Sequence, residues 1–268
     1  MEKVSKISFN SARRLLTKGI FAVDKPKNVY SMQVIDKLKE NLQEDLFRHN
    51  EAESDFLKIG HGGILDFSAT GVLVIGVGAG CRSLPLYLKG DKKYVAIGKL
   101  GEETDTLNDT GKITGTAPYD HISKEMIDTA LKSKFVGSIW QMPPKYSALK
   151  RKGRRVSDLV LEGQEVEMQP RKVDCHSATC FLFNPPHFHL EITCGGGFYV
   201  RSLVHDVGKV LGSCAHVTEL RRTQQGIFTE SDALKEADWN ASNILSAIKS
   251  SKAFLKKKSD KWYRIRND

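Results

Sequence analysis

Apolar residues along the chain follow two periods, one near 3.6 residues and one near 2. Val34, Ile35, Leu38, Leu42 and Leu46 recur at helical spacing and predict an amphipathic helix over Ser31–Phe47. Further helices are predicted over Ile122–Phe135, with Ser123 as N-cap, over Val200–Leu211 and over Ala237–Ile248, with a short one at Leu84–Leu88. Strands are predicted at Gly19–Val23, which ends in the turn signal Asp24-Lys25-Pro26, and at Val72–Val77. Tyr94–Leu100 alternates like a strand, and Val173–Phe183 and Phe188–Cys194 read as a pair around Asn184-Pro185-Pro186. Gly101–Pro118 reads as loop, and the polar stretch Arg48–Asp55 as a linker or flexible loop. Helices and strands mix throughout without internal repeat or a composition break. The expectation is an α+β fold around a mixed or mostly antiparallel sheet flanked by helices.

Composition narrows this further. The chain has 268 residues, 40% hydrophobic and 27% charged, enough to bury a core without staples. Its longest apolar run, Gly71–Gly80, falls far short of the ~20 residues a membrane span needs. Five cysteines with no C-x-x-C pair argue against a disulfide framework and for a reducing compartment. Met1–Lys18 holds five basic residues and one acid, and reads as a solvated leader or a mitochondrial presequence. The net charge of +9 points to an anionic partner, with nucleic acid the commonest. The segment Lys145–Arg155 (KYSALKRKGRR) carries six of the cations, and its Lys150, Arg151, Lys152, Arg154 and Arg155 suit contacts to a phosphate backbone.

Several candidate chemistries fail on spacing. Gly76-Val77-Gly78-Ala79-Gly80 follows a strand, yet the third glycine of a dinucleotide fingerprint falls on Cys81, so close strand packing is expected there. His187 and His189 share a strand face, but with Cys175 or Cys180 they match no zinc spacing. Asp105, Asn108 and Asp109 resemble part of a calcium loop whose glycine and glutamate are out of register. No metal site is expected.

Two segments carry more. Lys58–Leu73 (KIGHGGILDFSATGVL) sets one carboxylate, Asp66, among small and apolar residues, with glycines that let backbone approach a ligand. Cys194–Val204 (CGGGFYVRSLV) leads from a glycine triplet into Tyr199, which can stack on a base, and Arg201, which can pair with a buried carboxylate.

Together with GIFAVDKP, DKKYVAIGKLGEETDTLNDTGK, PPKYSALKRKGRR and CAHVTELRRTQQG, these segments resemble the TruB family of pseudouridine synthases from about Gly19 to Gln225. The likeness is greatest to the eukaryotic branch that modifies uridine-55 of tRNA. The resemblance implies the pseudouridine synthase fold and an isomerase that needs no cofactor. It assigns catalysis to Asp66 in the motif G-H-x-G-x-L-D, with Tyr94 packing on the target base and Arg201 pairing with the aspartate. Lys25, His61, Tyr199 and Leu220 fall on family positions that contact RNA, alongside the basic segment. The first family block, K-P-x-G-x-T-S, is altered here by Asn28 and Tyr30, and the catalytic block by Ile64 for Thr and Phe67 for Pro.

The implied organisation is a leader over 1–18, a synthase domain over 19–230 and a basic C-terminal helix and tail over 231–268, with no complete PUA domain. The implied partner is the T-arm stem-loop of tRNA, with T-loop-like mRNA sites as further targets and no membrane. A monomer inside the cell, in nucleus, cytoplasm or mitochondrion, is expected. The alternative is an RNA-binding, tRNA-folding protein on the same scaffold.

Overall fold

The computed structural model describes residues 9–47, 57–151 and 153–265. In chain order the elements are α1 (Phe9–Leu16), β1 (Lys18–Lys25), α2 (Ser31–Phe47), β2 (Ile59–His61), β3 (Thr70–Gly78), α3 (Leu84–Lys89) and β4 (Lys92–Leu100). Then come β5 (Glu102–Thr104), β6 (Ile113–Thr116), α4 (Lys124–Ala130), β7 (Gly137–Gln141), β8 (Lys150–Arg151), β9 (Arg154–Arg155) and α5 (Val156–Leu161). The last are β10 (Arg171–Asn184), β11 (His187–Cys194), α6 (Val200–Val210), β12 (Ala215–Gln225), β13 (Phe228–Thr229), β14 (Ala233–Leu234) and α7 (Ala241–Ile265). The α+β expectation holds. The residues group into two compact units, Met1–Leu88 with Gln224–Asp268, and Lys89–Thr223. Both boundaries fall inside elements, α3 and β12, which is why no composition break marks them.

In the first unit β1 and β3 pair antiparallel along their whole length, β2 adds to β3, and β14 adds to β1 in parallel. Side chains alternate across the strands. Phe21, Val23, Leu73, Ile75 and Val77 point to one face, where Val34, Ile35, Leu38 and Leu42 of α2 and Ile244, Leu245 and Ile248 of α7 cover them. Ile20, Ala22, Val72 and Val74 point to the other and meet Leu84, Tyr87 and Phe228. The expected leader contains α1, which packs on this core through Ala12 and Leu16 while Ser11, Arg13 and Arg14 stay exposed. Residues 231–268 likewise begin as part of the unit: Asn41 Nδ2 donates to the Trp239 carbonyl at 2.7 Å, and Asp45 Oδ2 accepts the first amide of α7 at 2.8 Å. The expected loop Arg48–Asp55 lies outside the described residues.

In the second unit the strand order is β12-β4-β11-β10-β7, and the pairs β4–β11, β11–β10 and β10–β7 are antiparallel. α6 packs over β4 and α4 over β10. The Ser123 hydroxyl accepts the Met126 amide at 3.3 Å and caps α4 as expected. Gly101–Pro118 is not all loop, because β5 and β6 pair within it. The glycine run Gly76–Gly80 is a close-packing device: a Cβ on Gly80 would meet the Gly19 carbonyl oxygen at 2.0 Å. The cysteines are all unpaired, and burial pushes the thiols of Cys175 and Cys194 up to about 11 and about 12, as suits inert core residues. Among the described residues no helix is long and apolar enough to cross a membrane.

Candidate active site

Asp66 sits half-buried in the loop between β2 and β3, with its carbonyl accepting the Ala69 amide at 3.2 Å. Its position follows from residues that bind the backbone on either side of it. Ser31, at the start of α2, accepts the Leu65 amide at 3.1 Å and donates to the Leu65 carbonyl at 3.3 Å. Lys25, with no exposed surface, donates to the carbonyls of Pro26 (2.8 Å), Val29 (2.7 Å) and Phe67 (3.2 Å). The Asn28 amide also donates to the Phe67 carbonyl, at 3.0 Å. Asn28 has φ 60°, a left-handed conformation that glycine adopts freely and asparagine tolerates, so the departure from the family glycine keeps the turn.

The resemblance gives Lys25 an RNA contact; here its side chain has no exposed surface and its ammonium organises the Asp66 loop. Lys25→Met would leave those carbonyls without their ammonium donor and lower stability by about 1–3 kcal/mol, read as a lower urea midpoint, with product formation falling in step. A phosphate ligand would instead raise KM and leave the midpoint unchanged.

His61 ends β2, half-buried, and its Nδ1 accepts the Gly63 amide at 3.3 Å, which leaves the other ring nitrogen to carry the proton. The glycines beside it are needed for space: a Cβ on Gly62 would stand 2.8 Å from the Tyr87 Cβ. Gln225, fully buried, was not singled out by the sequence reading. Its Nε2 donates to the Gly62 carbonyl at 2.7 Å while its Oε1 accepts the Val74 amide at 3.1 Å, so it fixes the turn after His61.

The second unit carries the remaining positions. Tyr94 is on β4 opposite Ile192 of β11 and is 7% exposed. Tyr199 is the N-cap residue of α6, half-buried, and its backbone is gripped by the buried Gln141 of β7: the Tyr199 amide donates to Oε1 at 2.7 Å and the Tyr199 carbonyl accepts from Nε2 at 2.9 Å. Arg201, 5% exposed, donates from Nη1 to the Thr106 carbonyl at 2.8 Å and from Nη2 to the Tyr146 carbonyl at 2.9 Å. It thus ties the loop after β5 to the start of the basic segment. Leu220 lies half-buried on β12. Gln141, like Gln225, was missed, because one polar residue in a short strand gives no periodic signal.

The basic segment forms a β-hairpin. Lys150 faces Arg155 and Arg151 faces Arg154 across β8 and β9, and all four are exposed. Like charges directly opposite destabilise a ladder, so this hairpin suits an anionic partner. Arg154 also pairs with Glu162. Lys152 lies outside the described residues, as do the side chains of the C-terminal basic run.

At the start of the basic segment lies a groove of about 840 Å³ whose lining includes Glu103, Tyr146, His205, Asp206 and Lys209. Burial pushes the Asp206 carboxyl up to about 6 from its ordinary 3.8, against the pull of Lys209. The native chain therefore holds this proton more tightly than the unfolded chain, and stability falls as pH rises from about 4 to about 6. Asp206→Asn removes that slope and gains about 2 kcal/mol at pH 7, measurable by denaturant titration across that range; solvent screening of a partly exposed group reduces the full shift of about 3 kcal/mol to that figure. Lys92 on β4 shows the converse: burial, then the nearby Arg222 guanidinium, lower its ammonium to about 8.

Comparison with known proteins bears on this arrangement. Residues 50–200 match the family model "TruB family pseudouridylate synthase (N terminal domain)", and residues 201–256 match "tRNA pseudouridylate synthase B C-terminal domain". The chain is 47% identical over 244 residues to the pseudouridylate synthase TRUB1 of Mus musculus, spanning 89% of this chain and 72% of that protein. It is 37% identical over 223 residues to the tRNA pseudouridine synthase B of Dehalococcoides mccartyi, spanning 83% of this chain and 70% of that one. Among solved structures, a chain from the crystal structure of a Cbf5-Nop10-Gar1 complex superposes with a TM-score of 0.60 at 25% identity. That match spans 88% of this chain but only 59% of the solved one. The fold, the ordered motifs around Asp66 and Arg201, and these matches agree: the chain belongs to the TruB family of pseudouridine synthases.

Proposed function

We propose that this chain isomerises uridine to pseudouridine in RNA, at uridine-55 in the T-loop of tRNA and at T-loop-like sites in mRNA. The observation that carries the reading is the Asp66 loop: a family-motif carboxylate, half-buried, on backbone pinned through Leu65 and Phe67. In the isomerisation the bond from ribose C1′ to uracil N1 breaks, the base turns, and C5 bonds to C1′. The C5 proton leaves and N1 regains one, so nothing is oxidised and no group is imported.

A carboxylate suits the first step. Ionised, Asp66 can attack C1′ or take a proton from the sugar, and either route starts from its stabilising cationic character at C1′. Tyr94 takes the role of the ring that holds the detached uracil, and Arg201 the guanidinium role the family motif gives it. The target must leave its stack, at a cost of a few kcal/mol. The exposed hairpin Lys150, Arg151, Arg154 and Arg155 offsets part of that through phosphate contacts that weaken with salt.

The test is a T-arm stem-loop carrying tritium at uridine C5. The purified protein should release the label to water and leave pseudouridine at position 55. RNA that is bound and refolded without tritium release would sink the enzyme reading and support a folding protein. Neutralising the four hairpin cations should weaken binding roughly equally for all T-arm sequences and reduce the slope of log affinity against log salt by about 2–4.

A further inference from the structure

We propose that Tyr30 and Phe67 form a stacking platform for a nucleobase of the RNA substrate that neighbours the one Asp66 acts on. The proposal rests on the pseudouridine synthase reading and goes beyond it by placing a second base. The two rings lie 4.7 Å apart at 42°, within the range of favourable aromatic contact. Both are open to solvent, Tyr30 at 60% and Phe67 at 38%, and Ile64, on the same loop as Phe67, is 45% exposed. Neither ring belongs to the apolar clusters that hold the first unit together, so the pair is not core that happens to show an edge.

Its place is set by the same bonds that set Asp66. Phe67 follows Asp66 directly, and its carbonyl accepts from both Lys25 and the Asn28 amide. The Tyr30 amide donates to Gln33 Oε1 at 2.8 Å, and the Tyr30 carbonyl accepts the Val34 amide that opens α2. The backbone beneath both rings is thus held in register with the carboxylate before any ligand arrives. Lys27, exposed on the same turn, offers a cation to an adjoining phosphate.

The chemistry names the occupant. Drawing one uridine out of a loop leaves its neighbours with a bare π face. An exposed aromatic face beside the reacting carboxylate replaces the lost stack, and it accepts any base because every base has such a face.

T-arm stem-loops carrying 2-aminopurine immediately 5′ or 3′ of the target uridine test this in the Asp66→Asn protein, where the RNA is not turned over. Fluorescence at one of the two positions should be quenched on binding. The quench should disappear in the Asp66→Asn protein that also carries Tyr30→Ser and Phe67→Ser. In the active protein the same two serines should raise KM about tenfold and leave single-turnover rate at saturation within about threefold. Tyr30→Phe keeps the π face and should keep both quench and KM. Quench at neither position, or an unchanged quench and KM in the doubly substituted protein, overturns the platform. A change of oligomeric state on substituting the two rings, with RNA binding unaltered, would assign them to a protein interface and overturn it equally. Tritium release by the unsubstituted protein reports separately on the pseudouridine synthase reading.

Discussion

Asp66→Asn should bind T-arm RNA as the unsubstituted chain does and release no C5 tritium, a loss of at least about 10⁴-fold in rate. The change keeps shape and removes only the negative charge. The bonds that hold the loop backbone, between Leu65 and Ser31, from Lys25 to the Phe67 carbonyl and from the Ala69 amide to the Asp66 carbonyl, do not involve the replaced oxygen. A shift of more than about 1–2 kcal/mol in stability would therefore mean that the carboxylate also supports the fold. Product formation within tenfold of the unsubstituted rate would remove Asp66 from the chemistry altogether.

Arg201→Ala should be the next most damaging change. Arg201 is 5% exposed and donates to two carbonyls, those of Thr106 and Tyr146, which lie on separate loops. Alanine leaves both without that donor, at about 2–4 kcal/mol of stability, and lets both loops drift. A misplacement of about 1 Å costs about 10²-fold in rate. Because the loss is one of positioning, kcat should fall far more than KM rises. Arg201→Lys restores the charge without the planar fork, so it can serve one carbonyl well and should recover stability more than rate. Equal recovery of both would show that the charge alone matters.

Much of the fold was legible in the sequence. Helix α2 appears at its predicted bounds because its face Val34, Ile35, Leu38 and Leu42 repeats at the helical period and is buried by one neighbouring layer. The pair β10 and β11 was legible because alternation and a Pro-Pro turn coincide. Strand β12 was not. Its residues Arg221, Arg222, Gln224 and Gln225 show no apolar alternation, yet Arg222 is 1% exposed and Gln225 is fully buried. Polar groups enter a core only when partners satisfy them, and those partners come from residues far away in the chain. For Gln225 they are Gly62 and Val74. The same reason hid Gln141.

The site divides along the same line. Ordered motifs of chemically demanding residues alone sufficed to place the chain in its family and to mark Asp66, Tyr94, Tyr199 and Arg201 as candidates, because a reaction constrains residue identity and spacing directly. Lys25 could be recognised by sequence without its partners, since only the folded chain shows its ammonium closed in by three carbonyls. The contact between Tyr30 and Phe67 joins positions 37 residues apart, and no local pattern links them. Residue identity was thus written in one dimension; burial, hydrogen-bond partners and the meeting of distant side chains depend on how the backbone closes on itself, and the tertiary structure alone decided them.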